Sequence, residues 1–536
     1  MKTILYILLI LFSTLGFSQD LVLIKFMDKP SSATYFANPT LMLSQKALDR
    51  RAKYSIELNM QDVPVETTYV SQVEALGIEP LAVSKWFNGV FAWCTDSQVA
   101  QAEALSFVSG VDSFVRDASK INTGTQLQDK FAGEDQPQTN TFNFMDFNYG
   151  YTETQVTQIR LDFLHDLGFT GEGVTIAVFD NGFPGVNTQD GFAYIRNNGQ
   201  IKGGYNFPGK NENIYGSGSH GTVVLSTIGG YIENQYVGTA IDADYYLYIT
   251  EDNTHEMPDE EVFWIAAAEI ADSIGVDVIS TSLGYNEFDD PRYNYVYDDM
   301  DGETTYITRG AQFAADRGIM IVVSAGNSGN QPWHYITAPA DGVGVLTIGA
   351  VDSSNNPAGF SSYGPTSDGR IKPDVDALGS YAAVIQPDGS INYSSGTSFS
   401  APIMAGAMAC LIQAFPNYHP TGLMQKVRES ASLYENPTSQ MGYGIPDFSE
   451  AYEACLGVVD FDQSLVKVYP NPTSGILNID STIPVKQLQL ISMPGKIIRK
   501  YSTLYQMDIS DLPTGIYVLK VQLENGKTEV KKLIKK

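Results

Sequence analysis

Between residues 149 and 457 the chain repeats one alternation, a short mostly apolar run followed by a segment of helical periodicity. The runs are residues 174–179, 245–249, 276–280, 319–323 and 345–351. None has the period-two pattern of a strand with one wet face, so each is expected to be buried on both sides. Helical patterns fall at 162–167, after His220, and at 260–274, 305–317, 403–415 and 422–430. Such alternation implies an α/β domain, a parallel sheet with helices on both faces. Sites in open sheets of this kind lie at the carboxyl ends of the strands.

Four short motifs stand where that rule points. Asp180 ends the run 174–179 and is followed by Asn181-Gly182, a turn signal. His220 stands in Gly218-Ser219-His220-Gly221-Thr222, among small neighbours that let a ring approach other groups closely. The other four histidines have ordinary settings: His165 in an amphipathic helix, His255 in an acidic loop, His334 between Trp333 and Tyr335, and His419 before a proline. Residues 324–329 read Ser-Ala-Gly-Asn-Ser-Gly after the buried run 319–323, so Asn327 presents an amide at a strand end. Residues 396–402 read Gly-Thr-Ser-Phe-Ser-Ala-Pro and lead into the apolar helix 403–415. Ser398 is thus expected at a helix N-terminus, where unpaired N–H groups and the helix dipole gather. Pro402 is expected in the first turn, which needs no N–H from it. A hydroxyl so placed could attack a carbonyl with an N–H beside it for the oxyanion. Taken singly, each residue has a plainer reading: a strand-end acid, a loop histidine, an N-cap serine.

The order Asp-x-Gly, Ser-His-Gly-Thr, Ala-Gly-Asn, Gly-Thr-Ser-x-x-x-Pro closely resembles the subtilisin-like (subtilase) serine peptidases. The resemblance implies a subtilisin-like sheet and a triad of Asp180, His220 and Ser398, with Asn327 donating to the oxyanion. It also implies that Ser282, Leu283 and Gly284, which follow the run 276–280, bind substrate along its backbone and wall the primary specificity pocket. Two positions depart from the family's habit: Asn181 stands where Thr or Ser is common, and Phe399 where Met is commonest. Neither is expected to touch the reacting groups.

The flanks read differently. Residues 1–18 hold Lys2, an apolar core and a small-residue end, the pattern of a secretory signal peptide rather than of a membrane span. Residues 19–148 combine a module and a linker. Strands at 21–26, 78–83, 90–94 and 107–115 and helices at 43–53, 67–76 and 96–105 give a ferredoxin-like α+β order. Arg50, Arg51 and Lys53 are expected on the wet side of the first helix. The module resembles the subtilase propeptide, which implies an inhibitor of its own enzyme. The aperiodic segment 126–148 is the exposed kind of place that proteases cut, so removal of the module is expected within residues 126–151.

Residues 465–536 carry eleven Lys and Arg against five Asp and Glu, in a chain whose net charge is −28. Short alternating runs at 475–479, 486–491, 497–501 and 515–523 predict a small β-sandwich. Val468-Tyr469-Pro470-Asn471-Pro472-Thr473, Pro494-Gly495-Lys496 and Leu512-Pro513-Thr514-Gly515-Ile516-Tyr517 resemble the C-terminal sorting domain of type IX secretion cargo. That implies type IX secretion machinery as partner and a secreted or cell-surface product reached through the periplasm. The plainer alternative is a carbohydrate-binding module.

The strong acidity argues against nucleic acid and anionic membrane as partners and favours a self-repelling monomer. Three cysteines, Cys94, Cys410 and Cys455, cannot make a disulfide framework. Acidic clusters at Asp289-Asp290 and Asp298-Asp299-Asp301 invite a structural calcium reading, but no spaced loop signature accompanies them, and a solvated acidic loop is the plainer account. The expected activity is a secreted serine endopeptidase acting on protein or peptide substrates, with no cofactor required. A catalytically silent adhesin would need a broken motif, and none is broken; an esterase would use the same machinery.

Overall fold

In a computed structural model of the chain, the described residues are 19–116, 147–456, 466–471, 473–481, 483–492, 496–502, 506–524 and 528–536. The expected signal peptide, residues 126–146 of the expected linker and residues 457–465 lie outside them.

The N-terminal module runs β1 (Asp20–Phe26), α1 (Ser32–Ala37), α2 (Gln45–Lys53), α3 (Thr67–Glu74), β2 (Ala82–Ser84), β3 (Gly89–Cys94), α4 (Asp96–Glu103) and β4 (Val108–Ser113). Its antiparallel sheet has the order β2-β3-β1-β4, the ferredoxin-like arrangement expected. Thr95 caps α4 reciprocally with Gln98, which fixes where that helix starts.

The middle part runs α5 (Glu153–Thr157), α6 (Asp162–Asp166), β5 (Thr175–Asp180), α7 (Ala193–Asn197), β6 (Ile201–Asn206), α8 (His220–Gly229), β7 (Tyr231–Ile232), β8 (Tyr236–Val237), β9 (Asp244–Ile249), α9 (Asp259–Ile274), β10 (Val278–Thr281), α10 (Tyr306–Asp316), β11 (Met320–Ser324), β12 (Val345–Val351), β13 (Val375–Leu378), β14 (Ala382–Ile385), β15 (Ile391–Ser394), α11 (Thr397–Ala414), α12 (Pro420–Glu429) and α13 (Phe448–Leu456). Seven strands form one sheet in the order β13-β12-β11-β10-β5-β9-β6, parallel throughout. Its two edge strands escaped the sequence reading. An edge strand need not be apolar, and β6 carries Gly203-Gly204 while β13 carries Asp376. Helix α11 is buried from Thr397 through Ile412. It is long and apolar enough to cross a bilayer, yet 89% of it is covered inside the protein, and that burial accounts for its composition.

The module and the middle part share one core. Trp86, Phe91 and Phe114 join the cluster that α9, α10 and the sheet build, and Phe87 packs edge-on against Phe313 with ring centroids 5.3 Å apart. Charge is buried at the same seam, and it corrects the expectation for α2. Arg50 and Arg51 are 2% and 3% exposed; only Lys53 faces water. The reason is Asp272 of α9, which Arg50 reaches at 2.6 Å, Arg51 at 2.8 Å and Lys85 at 3.2 Å. In return Asp62 of the module takes Arg317 of the middle part at 3.2 Å. Glu269 of α9 accepts from the Ser84 hydroxyl and from the N–H groups of Lys85 and Trp86 at 2.9 and 3.1 Å.

The C-terminal unit is made of β16 (Val466–Tyr469), β17 (Ile476–Ser481), β18 (Val485–Ser492), β19 (Ile497–Tyr501), β20 (Gln506–Asp508), β21 (Gly515–Leu523) and β22 (Thr528–Lys535). They form two antiparallel sheets, β16-β17-β20 and β19-β18-β21-β22, around a core that includes Leu477, Leu488, Leu490, Leu519 and Leu533. The sandwich is as expected, with β16, β20 and β22 added.

Candidate active site

Adjacent strands β5, β10 and β11 end side by side, and the residues at their carboxyl ends include Asp180, Ser282 and Asn327. Asp180 is the last residue of β5 and fully buried. Its two carboxylate oxygens lie 2.8 and 3.0 Å from His220 Nδ1. A carboxylate there assigns the proton to Nδ1 and leaves Nε2 as the basic nitrogen.

His220 opens α8, and Ser219 before it makes no side-chain cap. The cap comes from Asn181, whose Oδ1 accepts from the N–H groups of His220 and Gly221 at 3.0 and 3.4 Å. The departure at Asn181 therefore does touch the histidine, through its backbone. Gly221 makes the approach possible: a Cβ there would lie 2.6 Å from Gly182 O and 2.9 Å from Asp180 Cβ. Phe399, the other departure, faces His220 with ring centroids 6.1 Å apart.

Ser398 is the second residue of α11 and 4% exposed. Asn327 Oδ1 accepts from Thr397 N and Oγ1, each at 2.9 Å, which turns the amide nitrogen the other way. A Cβ on Gly396 would lie 3.5 Å from Asn327 Nδ2 and 3.7 Å from Ser398 N. Both nitrogens thus lie within 4 Å of one point, in space that a glycine leaves open. Two N–H donors so converged can hold an oxyanion.

Pro402 is not in the first turn. The helix begins at Thr397, so Pro402 is its sixth residue and deprives the Ser398 carbonyl of its i+4 partner. The Ser282 hydroxyl donates to that carbonyl instead, at 2.9 Å. Ser282 therefore supports the turn that carries Ser398, a role that sequence spacing did not reveal. Leu283 turns its side chain into the core, and Gly284 packs so tightly that a Cβ would meet Thr337 Oγ1 at 2.1 Å.

Outside this centre, His165 is buried between Tyr149 and the Thr239 carbonyl, and burial pushes it down to about 4, so it is a neutral core histidine. Cys410 is buried and donates its thiol to the Thr239 carbonyl at 3.2 Å. Three members of the acidic clusters have protein partners. Asp290 pairs with Arg292, Asp299 with Arg116, and Asp301 accepts from Glu303 N and Thr304 N at 2.8 Å. Among the described residues no group of three His, Cys, Asp or Glu is arranged to hold a metal ion.

The profile of the subtilase family matches residues 171–444, just over half of the chain. The chain belongs to the subtilase family. This subtilase is a serine peptidase of the subtilisin type, and its flanks match two further profiles. A peptidase S8 propeptide domain of Bacteroidota covers residues 21–130, and a secretion system C-terminal sorting domain covers residues 467–536. Among curated relatives, Subtilisin NAT of Bacillus subtilis subsp. natto and Subtilisin E of Bacillus subtilis are each 30% identical over 303 residues, 54% of this chain and 68% of theirs. The serine protease AprX of Bacillus subtilis is 28% identical over 297 residues, 50% of this chain and 63% of that protein. Fervidolysin from Fervidobacterium pennivorans, a keratinolytic enzyme related to subtilisin, shares the fold. Its TM-score is 0.55 at 17% identity, over 97% of this chain and 76% of that one. The sorting domain marks the subtilase as secreted or carried at the cell surface.

Proposed function

We propose that the chain is a secreted endopeptidase whose triad is Asp180, His220 and Ser398. What carries this reading is the short Asp180–His220 contact beside the paired donors Asn327 Nδ2 and Ser398 N. Ser398 Oγ attacks the peptide carbonyl carbon as His220 Nε2 takes its proton. Asp180 holds the imidazolium through Nδ1. Asn327 and the Ser398 N–H bind the tetrahedral oxyanion, which collapses to an acyl-enzyme as His220 protonates the leaving amine. Water then repeats the cycle on the ester. No step calls for an organic cofactor. Ser282, Leu283 and Gly284 form the edge along which an extended substrate lies.

In the precursor, residues 19–148 hold the module that inhibits the enzyme and the segment through which it is released. Residues 149–457 are the catalytic domain, and residues 465–536 address the chain to type IX machinery after it reaches the periplasm. Ser398→Ala should abolish peptide hydrolysis and labelling by a fluorophosphonate while leaving the fold intact, and substantial residual turnover would overturn the assignment. Asn327→Ala should lower kcat by about 10²–10³-fold with KM nearly constant, the magnitude known for the equivalent loss in subtilisin.

A further inference from the structure

The backbone edge at residues 282–284 continues into an excursion that the catalytic reading leaves unused. Tyr285 pairs with Ala338, and the chain loops out and returns so that Tyr295 N donates to Asn286 O at 2.9 Å. A few residues on, Asp299 is held in place by Val296 N, which donates to its Oδ2 at 2.9 Å. The other oxygen of this 3% exposed carboxylate takes the guanidinium of Arg116, the last described residue of the N-terminal module. Arg116 Cζ also lies 5.4 Å from the Tyr295 ring centroid. The Tyr295 hydroxyl donates to Glu261 Oε2 at 2.8 Å, and Glu261 is wholly buried. Its second oxygen, Oε1, has no hydrogen-bond partner among the described residues. The Arg116 N–H donates to Arg292 O at 2.8 Å, so the chain is held through its backbone as well as through its side chain.

These groups make a pocket with an aromatic wall, a fixed carboxylate at one side and a second carboxyl beneath. We propose that, once the module has left, this pocket is a subsite for an arginine side chain of the substrate, on the acyl side of the scissile bond. The proposal rests on the peptidase reading. The acyl side follows from Arg116 itself, which belongs to the portion of chain that ends at the cut. Arginine fits better than lysine because a flat guanidinium can stack on Tyr295 while it pairs with Asp299. Burial pushes the Glu261 carboxyl up to about 8, and the Arg116 charge pulls it the other way, so a bound cation and an ionised Glu261 favour one another. Asn286 is four residues past Ser282, at most about 13 Å along an extended strand at roughly 3.3 Å per residue. That places the arginine roughly three to five residues before the cut bond. In the precursor the same spacing puts the first cut ahead of residue 126, and the window 126–151 then holds later trimming.

The test uses the mature enzyme and a set of peptides that differ only in which position before the cut bond carries arginine in place of norleucine. At one position arginine should raise kcat/KM by about tenfold or more over norleucine, as a desolvated ion pair with a cation–π contact would. In Asp299→Asn, which keeps an oxygen for Val296 N, that arginine-to-norleucine ratio should fall towards one. Glu261→Gln should lower it less, and this variant decides the matter if Asp299→Asn does not fold. Cleavage of the norleucine peptide with no preference for arginine at any position overturns the proposal alone. So does a preference that survives both substitutions. Failure to cleave any peptide overturns the peptidase reading and this proposal with it.

Discussion

Removing the Ser282 hydroxyl should destabilise the catalytic domain out of proportion to the size of the change. Ser282 and Ser398 are both 4% exposed, so water does not readily replace the lost donor at the Ser398 carbonyl. A buried carbonyl left without its partner costs about 1–3 kcal/mol. At roughly 2–4 °C per kcal/mol for a domain of this size, the melting temperature should fall by several degrees. The decisive measurement is a double-mutant cycle with Pro402→Ala, in a Ser398→Ala background that prevents self-digestion. Alanine at 402 restores the N–H that an unbroken helix would aim at Ser398 O, so the carbonyl regains a partner without Ser282. Ser282→Ala should therefore cost about 1 kcal/mol less beside Pro402→Ala than alone, a coupling within the range seen for residues sharing one network. Equal costs in the two backgrounds would refute the idea that this serine substitutes for the N–H that proline lacks.

The carboxyl of Glu261, pushed up to about 8 from an ordinary value of 4.5, keeps a proton in the folded chain that the unfolded chain gives up. Stability should be full below about pH 4.5, fall as pH rises towards about 8 and then level off; Glu261→Gln should flatten that slope in thermal melts. Asp272→Ala strands Arg50 and Arg51 in the seam and should cost the intact precursor about 3–5 kcal/mol in denaturant titrations, but cost the enzyme freed of its module far less. A chain ending near residue 457 should cleave peptides as well as the full one yet stay inside the outer membrane of its native host, as fractionation would show; its normal arrival in the medium would refute the address.

The catalytic centre was legible because its parts are local signatures at strand ends and a helix start. His220, Asn327 and Ser398 have small neighbours that permit close approach, and Asp180 ends an apolar run just before an Asn-Gly turn. The central strands were legible because burial on both faces leaves an unbroken apolar run, as in β5 and β11. Long-range pairings left no such trace. Arg50 meets Asp272 across 222 residues, so a helix face that looks wet by composition is dry in the fold. The Ser282 bond spans 116 residues and follows from a proline whose place in the helix depended on where the first turn began. Strand β22, Lys-rich and at a sheet edge, escaped the sequence reading because edge strands use charge to discourage further pairing.

The buried charges at the seam make the module's grip depend on the covalent link to the enzyme. While both belong to one chain, Arg50, Arg51 and Lys85 face Asp272, and Asp62 faces Arg317, at the high effective concentration that a covalent link supplies. After the link is cut, water solvates all six groups, and rebinding has to strip that water away again. A purely greasy seam would leave two sticky faces that seek each other. Here the shared apolar core still draws the module back, as an inhibitor requires, while each buried ion adds a dehydration cost to rebinding, so cutting the chain weakens the module's hold without abolishing it.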